Sequence, residues 1–168
     1  MIPGHTDKLY LVGFMGSGKT TLARALGRRL GWRHVDLDEE IERREGRSVS
    51  QVFAEHGEAY FRKAEREVLL AFLPMRNVVV ATGGGTFVQP ANRADILADG
   101  VVVWLDVPFA RIVDRVPSDG RRPLAADRDA FAALFEERRA AYRQAHLRLD
   151  AQGRVDALVE RLLHQLGW

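Results

Sequence analysis

Residues 13–20, Gly-Phe-Met-Gly-Ser-Gly-Lys-Thr, constrain this chain more than any other segment. They follow a short apolar run, Leu9–Val12, and precede residues 21–30, whose apolar side chains recur at helical spacing. Strand, glycine-rich loop and helix are the context in which G-x-x-x-x-G-K-[ST] binds the phosphates of a nucleoside triphosphate. Backbone N–H groups and the helix N-terminus would then surround the polyphosphate. The predicted ATP-binding residues here are Gly16, Ser17, Gly18, Lys19, Thr20 and Thr21.

The composition fits a single domain over residues 1–168 and excludes several classes of protein. There is no cysteine, which excludes disulfides, thiolate metal sites and cysteine nucleophiles. The net charge of +2 is nearly balanced, which argues against a nucleic-acid or membrane partner. No apolar run approaches the roughly 18 residues of a membrane span, and the N-terminus lacks the apolar core of a signal peptide. We expect a cytoplasmic, monomeric protein that acts on small molecules.

Short apolar strands alternate with longer helical patterns along the rest of the chain. We predict an α/β fold with three layers, in which a five-stranded parallel sheet lies between helices. The polar, arginine-rich residues 117–128 are predicted to form a mobile lid. Ligands of such sheets bind beyond the carboxyl ends of the strands. The phosphate loop, Asp36 with Asp38, and a triple glycine all follow predicted strands, so we expect them to share one cleft.

Asp36 and Asp38 flank Leu37 where the second predicted strand ends. Beside a triphosphate, such carboxylates can hold Mg²⁺, directly or through water, or accept a proton from an attacking hydroxyl. The alternative is that they cap the following helix, since acidic residues are favoured in a first helical turn. Gly83, Gly84 and Gly85 remove every side chain from one stretch of backbone, which allows close approach of a ligand.

Three arginines are candidates for binding an anionic substrate. Arg62 follows Phe61 and Arg143 follows Tyr142 in predicted helices, where either could bind a carboxylate through two parallel hydrogen bonds. Arg122 lies in the predicted lid, from which an arginine can neutralise charge on a phosphoryl group in transfer. In a chain so rich in arginine, the alternative for each is an ordinary surface residue. The five histidines show no metal-ligand spacing.

Taken together, these motifs resemble those of the shikimate kinase family, small P-loop kinases with a fold like that of the nucleoside-monophosphate kinases. The resemblance extends from Leu9 to the last predicted helix. It rests on residues 13–20, Asp36-Leu37-Asp38, Gly46-Arg47-Ser48-Val49, Phe61-Arg62, Gly83-Gly84-Gly85, Arg122-Pro123-Leu124 and Tyr142-Arg143. It implies transfer of the ATP γ-phosphoryl group to the 3-hydroxyl of shikimate, a step toward chorismate and the aromatic amino acids, with Mg²⁺ as cofactor.

The resemblance also implies a role for each matching residue. Lys19, Asp38 and Arg122 would be catalytic, with Asp38 the candidate base for the 3-hydroxyl. Asp36 would position Mg²⁺ together with the hydroxyl of Thr20. Arg62 and Arg143 would bind the substrate carboxylate, and the backbone of Gly83, Gly84 and Gly85 would form hydrogen bonds with the substrate. Phe53 and Phe61 would form an apolar wall behind the substrate ring. Arg115 would contact the adenine, and Arg122 would contact both phosphate and substrate.

Two alternatives to this function remain open from the sequence. One is another small-molecule P-loop kinase, of the gluconate or nucleoside-monophosphate type. The triple glycine with Phe-Arg and Tyr-Arg favours a carboxylated polyol over a nucleotide as acceptor. The other is a homologue that senses ligand without catalysis, which loss of Lys19, Asp38 or the lid arginine would have supported; all three are present.

Overall fold

A computed structural model describes residues 7–115 and 127–168 of the chain. Five parallel strands form one sheet in the order β2-β3-β1-β4-β5. The strands are β1 (Lys8–Val12), β2 (Arg33–Asp36), β3 (Val78–Ala81), β4 (Val101–Asp106) and β5 (Leu147–Asp150). The helices are α1 (Lys19–Leu30), α2 (Leu37–Glu45), α3 (Val49–Phe72), α4 (Pro90–Asp99), α5 (Phe109–Arg115), α6 (Arg128–Tyr142) and α7 (Val155–Leu166), with a 3₁₀ segment at Thr86–Val88.

Helices cover both faces of the sheet, as the predicted three-layer α/β/α fold requires. Every residue of β1, β3 and β4 is buried, although successive side chains of a strand point to opposite faces. Strand β1 lies at the centre, where Leu11 pairs with Ala81 on one side and with Val103 on the other. Solvent is therefore excluded from both sides of the central strands, which explains why most of their residues are apolar.

The strand order brings the predicted functional segments to one edge. Because β2, β3 and β1 are neighbours and parallel, their carboxyl ends meet on the same side of the sheet. The phosphate loop follows β1, the triple glycine follows β3, and Asp36 and Asp38 lie at the junction of β2 and α2. The phosphate loop, the triple glycine and the two aspartates therefore lie at the same edge of the sheet, as predicted.

Most predicted element boundaries agree with the structure. The sequence pattern predicts a strand at Val101–Asp106, a helix at Val155–Leu166 and a capping box at Ser48 and Gln51. The structure has all three, as β4, as α7 and as the start of α3. Gly57 is predicted to break the helix that follows Ser48, and in the structure it has φ 84° inside α3, a conformation that favours glycine. The 3₁₀ segment at Thr86–Val88 was not predicted. The predicted lid at 117–128 falls outside the described residues except for Asp127, which caps α6, and Arg128, with which α6 begins.

The sequence pattern predicts a long helix from Asp129 to about His146, but α6 ends at Tyr142, so this predicted end is wrong. The chain turns before β5, and the amide of Val102 in β4 donates to His146 Nδ1 over 2.9 Å. This side chain supplies an acceptor just before the ladder between β4 and β5 begins at Val103 and Leu147. His146 thus belongs to the sheet edge and not to the helix.

None of the helices formed by residues 7–115 and 127–168 has the length and apolar character needed to cross a bilayer.

His146 should make stability depend on pH. Burial disfavours the imidazolium and lowers the pKa of His146 below its ordinary value of 6.5. The folded state therefore binds fewer protons than the unfolded state, so this stabilisation is complete above about pH 6.5 and is lost as the pH falls through the folded pKa. We expect the free energy of unfolding, measured by denaturant titration between pH 7.5 and 5, to fall less steeply for His146→Gln than for the wild type.

His164→Gln is the control for this prediction, since His164 is exposed on α7. Its pH profile should follow that of the wild type. If the free energy of unfolding of the wild type and of His146→Gln changes equally with pH, the imidazole of His146 does not contribute to the pH dependence of stability.

Candidate active site

The phosphate loop connects β1 to α1 with its lysine folded inward. Gly18 has φ 94° and ψ 19° immediately before α1, a left-handed conformation open to glycine. Lys19 is 8% exposed, and its Nζ donates to the carbonyls of Gly13 and Phe14 over 2.8 and 2.9 Å. The ammonium group is therefore already held in the concave side of the loop, where a phosphate would need it.

Ser17 adds a buried hydroxyl to the loop. Its Oγ has no hydrogen-bond partner among the described residues. A Cβ at position 13 would lie 3.0 Å from this oxygen and 2.9 Å from the carbonyl oxygen of Leu105, so only glycine fits at Gly13. A buried hydroxyl without a partner is costly unless a ligand supplies one.

Asp36 caps α2, as one of the two alternatives from the sequence has it, and its side chain also contacts Thr20 of the phosphate loop. One carboxylate oxygen accepts from the amide of Glu39 over 3.1 Å, and the other accepts from Thr20 Oγ1. This contact joins the start of α1 to the end of β2. It places two hard oxygen donors together beside the loop, a donor set suited to Mg²⁺.

A group of three or more His, Cys, Asp or Glu suited to a metal ion is absent from residues 7–115 and 127–168. In nucleotide-binding sites Mg²⁺ generally takes few protein ligands and completes its shell with phosphate oxygens and water. Thr20 and Asp36 fit such a role, and Asp36 is half-buried.

Asp38 lies against the triple glycine. A Cβ at position 83 would lie 2.6 Å from Asp38 Oδ1, so Gly83 gives this carboxylate room beside the backbone. The amide of Gly83 donates to Thr86 Oγ1 over 2.9 Å, and it is therefore not available to a substrate. The predicted contribution of Gly83 as a backbone donor is wrong for this reason; its contribution is the space that Asp38 occupies.

Arg62 lies against Gly85 and is held by a buried glutamate. A Cβ at position 85 would lie 2.5 Å from Arg62 Nη2. Arg62 Nη1 donates to Glu65 Oε1 over 3.0 Å, and Glu65 Oε2 accepts from Thr86 Oγ1 over 2.9 Å. Arg62 Nε is buried without a hydrogen-bond partner among the described residues, and its ion-pair contact with Glu58 Oε1 is 3.6 Å long. The guanidinium is thus fixed on one edge and still has a donor to offer.

Glu65 is part of the arginine site but is not predicted from the sequence. It is completely buried in α3, three residues after Arg62, although its neighbours in sequence are mostly polar. Its spacing from Arg62 is that of helical ion pairs, which is a weak signal by itself because such pairs are common on exposed helix faces.

The structure places Arg138, and not Arg143, beside the glycine segment. Arg143 is exposed at the C-terminal end of α6. Arg138 is 9% exposed, and its Nη1 lies 3.1 Å from the position of a Cβ at residue 84. The residues of a helix four apart lie on the same face, so Arg138 faces the site together with Tyr142, while Arg143 is rotated away. The expectation that Arg143 joins Arg62 is corrected to Arg138.

Two aromatic rings lie next to the arginine site. The rings of Phe53 and Phe61 are 4.6 Å apart, and the Arg62 guanidinium lies 5.2 Å from the centre of the Phe61 ring. Phe61 is buried and Phe53 half-buried. They form an apolar surface next to the charged groups.

The other residues predicted to bind ATP lie in different surroundings in the structure. Arg115, the last residue of α5, donates to the carbonyl of Gly16 over 3.2 Å and so reaches the phosphate loop. Thr21 is exposed in the first turn of α1. Arg122 lies outside the described residues.

Comparison with known proteins identifies the family. The shikimate kinase family model matches residues 15–167. This chain belongs to the shikimate kinase family. A shikimate kinase of Persephonella marina is 42% identical over 147 residues, covering 87% of this chain and 90% of the relative. One of Synechococcus elongatus is 44% identical over 151 residues, covering 88% and 79%.

Solved structures agree with this assignment. A shikimate kinase from Acinetobacter baumannii in complex with shikimate has a TM-score of 0.91 at 35% identity, covering 96% of this chain and 93% of that one. A deoxyadenosine kinase from M. mycoides is 16% identical with a TM-score of 0.68, covering 96% and 100%, and shows the fold alone. As a shikimate kinase family member, the chain is an ATP-dependent phosphotransferase, and its fold is the nucleoside-monophosphate-kinase-like fold predicted from the motifs.

Proposed function

We propose that this chain transfers the γ-phosphoryl group of ATP to the 3-hydroxyl of shikimate, giving shikimate 3-phosphate and ADP. The observation that carries the proposal is the pair of largely buried arginines, Arg62 and Arg138, beside a side-chain-free backbone and a carboxylate, Asp38. This arrangement lies at the same edge of the sheet as the phosphate loop. It suits an acceptor that has one carboxylate and several hydroxyls.

The phosphate loop would bind the ATP polyphosphate. Lys19 would exchange its contacts with the Gly13 and Phe14 carbonyls for the β- and γ-phosphates, while the backbone of Gly16 to Gly18 and the hydroxyls of Ser17 and Thr21 complete the cradle. Thr20 and Asp36 would hold Mg²⁺, Asp36 directly or through water. The ion would supply charge neutralisation for the bound phosphates.

Charge balance supports a carboxylate at the arginine pair. Arg62 and Arg138 contribute two positive charges, and the buried Glu65 neutralises one of them. Glu58 also lies 3.6 Å from Arg62 Nε, but its side chain is 70% exposed and its charge is screened by solvent. One positive charge remains, which matches a single substrate carboxylate. The unpartnered Arg62 Nε provides a donor for it, and an arginine binds a carboxylate with defined geometry, which a lysine cannot do.

Asp38 would orient the 3-hydroxyl and accept its proton during transfer. The carboxylate already lies against Gly83, so the backbone fixes it from one side. Gly84 and Gly85 would then present backbone amides to the substrate, and Phe53 and Phe61 would cover the apolar side of its ring. Such fixed positioning supplies much of the rate in phosphoryl transfer.

Two roles rest on the family resemblance. Arg115 would contact the adenine, in keeping with its position beside the phosphate loop. Arg122 would contact both phosphate and substrate from the lid, and closure of that segment would exclude water and prevent ATP hydrolysis.

Identification of the product tests this proposal. Incubation with Mg²⁺-ATP and shikimate should give a phosphate ester whose ³¹P signal couples to the proton on carbon 3, as seen in a two-dimensional ³¹P–¹H spectrum. Coupling to the proton on carbon 4 or 5 would contradict the assigned orientation of the acceptor against Asp38.

Gly85→Ala should weaken shikimate binding without affecting ATP. The new Cβ would lie within 2.8 Å of three guanidinium atoms of Arg62, and the flexible end of that side chain would move away. Gly85 has φ −103°, which alanine adopts without strain, so the fold should tolerate the change. We expect the KM for shikimate to rise about tenfold, the equivalent of one lost charge-assisted hydrogen bond.

The KM for ATP and the thermal unfolding temperature of Gly85→Ala serve as internal controls. Both should stay close to the wild-type values. A KM for shikimate that does not change would show that the position of Arg62 beside Gly85 is unimportant for acceptor binding.

A further inference from the structure

Three buried side-chain nitrogen or oxygen atoms lack a hydrogen-bond partner in the part of the chain that the structure describes: Ser17 Oγ, Arg62 Nε and Arg139 Nε. The first lies in the phosphate loop and the second in the arginine site, where ATP and the acceptor carboxylate would satisfy them. Arg139 belongs to neither site. Because a buried donor without a hydrogen-bond partner is destabilising, a ligand that accepts from Arg139 Nε would stabilise the protein.

Arg139 borders a cavity outside the acceptor site and points about 100° away from Arg138 around α6. Its guanidinium carbon lies 5.4 Å from the centre of the Trp104 ring, and that of Arg148 lies 5.3 Å from the same ring. Together with Arg143 these side chains line a cavity of about 300 Å³, large enough for a small ligand. The walls therefore combine an aromatic residue of β4 with arginines from α6, the following turn and β5.

The charge of this cavity is unbalanced. It has three guanidinium groups, and the one carboxylate in contact with any of them among the described residues is Asp106. Asp106 accepts from Arg148 Nε over 2.7 Å and lies 3.8 Å from Arg139 Nη1. Two positive charges remain without a counterion, which favours an anion.

Tyr142 connects this cavity to the acceptor site. Its ring lines the cavity, and its hydroxyl donates to the carbonyl of Gly84 over 2.5 Å. Burial raises the pKa of Tyr142, so the hydroxyl keeps its proton at any working pH. Arg138 and Arg139 are adjacent residues of the same helix. Arg139 and Tyr142 thus line the same cavity, and Tyr142 also contacts the glycine segment of the acceptor site.

We propose that the cavity bounded by Trp104, Arg139, Arg143 and Arg148 is a second anion site, which binds a small oxyanion such as a carboxylate or a sulfate. Occupancy weakens acceptor binding, because a negative charge on Arg139 reduces the positive potential at the neighbouring Arg138. The binding part of this proposal stands apart from the proposed function, while the coupling part rests on it.

The binding part is tested with inorganic sulfate and the fluorescence of Trp104. The protein carries Trp32→Phe and Trp168→Phe, so that Trp104 is the only tryptophan. Saturating ADP, Mg²⁺ and shikimate occupy the phosphate loop and the arginine site before sulfate is added. We expect a saturable change in Trp104 fluorescence, with half of the change reached at about 1 mM sulfate. In Arg139→Gln the sulfate concentration at the midpoint should be at least about tenfold higher.

Arg28→Gln is the matched control, since Arg28 is an exposed arginine of α1, and its midpoint should equal that of the parent. A non-saturating response, or equal midpoints for the parent and Arg139→Gln, overturns the site. If Arg139→Gln does not fold, Arg148→Gln carries the same test, because the Arg148 side chain is 66% exposed. An unchanged midpoint in that variant also overturns the site.

The coupling part is tested by titrating shikimate with and without sulfate. We expect sulfate to raise the Kd for shikimate about fivefold more in the wild type than in Arg139→Gln. Competition by sulfate at the phosphate loop or the arginine site affects both proteins equally and so cancels in this comparison. Equal shifts overturn the coupling. Failure of the wild type to bind shikimate at all would instead contradict the proposed function.

Discussion

Arg138→Ala is expected to raise the KM for shikimate about a hundredfold and to leave the KM for ATP within about twofold of the wild type. The substitution removes a charge-assisted pair of hydrogen bonds to the substrate carboxylate, and hydrogen bonds to charged groups contribute about 1.5–3 kcal/mol each. It also leaves Glu65 opposite a single arginine, so the net positive charge of the acceptor site disappears. Steady-state kinetics with each substrate varied in turn measures both constants.

Arg143→Ala is the matched control for this prediction. Both arginines lie near the end of α6, but Arg143 is exposed and Arg138 is buried beside Gly84. The KM of Arg143→Ala for shikimate should stay within about twofold of the wild type, since surface substitutions have small effects. A large effect of Arg143→Ala with a small effect of Arg138→Ala would restore the original prediction and contradict the structure.

Asp38→Asn is expected to lower kcat about a thousandfold while shikimate and ATP still bind. Asparagine has nearly the same shape, so it keeps the contact with Gly83, but it cannot accept the proton of the attacking hydroxyl. General base catalysis contributes about 10²–10⁴ to a rate, which sets this expectation.

Binding of each substrate to Asp38→Asn, measured by calorimetry, separates loss of chemistry from loss of structure. Asp129→Asn, an exposed aspartate in the first turn of α6, should behave as the wild type in both assays. A kcat for Asp38→Asn within about tenfold of the wild type would remove Asp38 from the role of base.

The parts of the site that the sequence predicted are those encoded by contiguous residues. The phosphate loop needs only its own backbone and the strand and helix beside it, so residues 13–20 determine its form. The glycines at 83–85 predict that other groups approach this backbone closely, and in the structure those groups are Asp38, Arg138 and Arg62. The sequence could not show which group each glycine accommodates, because the neighbours come from distant helices.

Arg138 was not predicted because, unlike Arg62 and Arg143, it has no aromatic residue next to it in the sequence. Neighbouring residues on a helix point about 100° apart, whereas Arg138 and Tyr142 are four residues apart and share one face. That spacing, applied to α6, would have favoured Arg138 over Arg143. Glu65 had no comparable signal, since its burial depends on packing of α3 against the glycine segment, which no local pattern encodes.

The end of α6 illustrates the same limit. Helical spacing continues past Tyr142, but the hydrogen bond between Val102 and His146 competes with a further helical turn. Tertiary contacts of this kind override local propensity and are decided by strands distant in sequence.

The most direct test of the account is ADP release with Mg²⁺-ATP in the presence of shikimate, quinate, gluconate, a nucleoside monophosphate or no acceptor. The arrangement of Asp38, Arg62 and Arg138 predicts rapid release with shikimate and slow release with the other acceptors or with none. Turnover that is faster with gluconate or a nucleoside monophosphate than with shikimate would contradict the proposed acceptor. ATP binding without turnover on any acceptor would contradict catalysis and favour a ligand-sensing role.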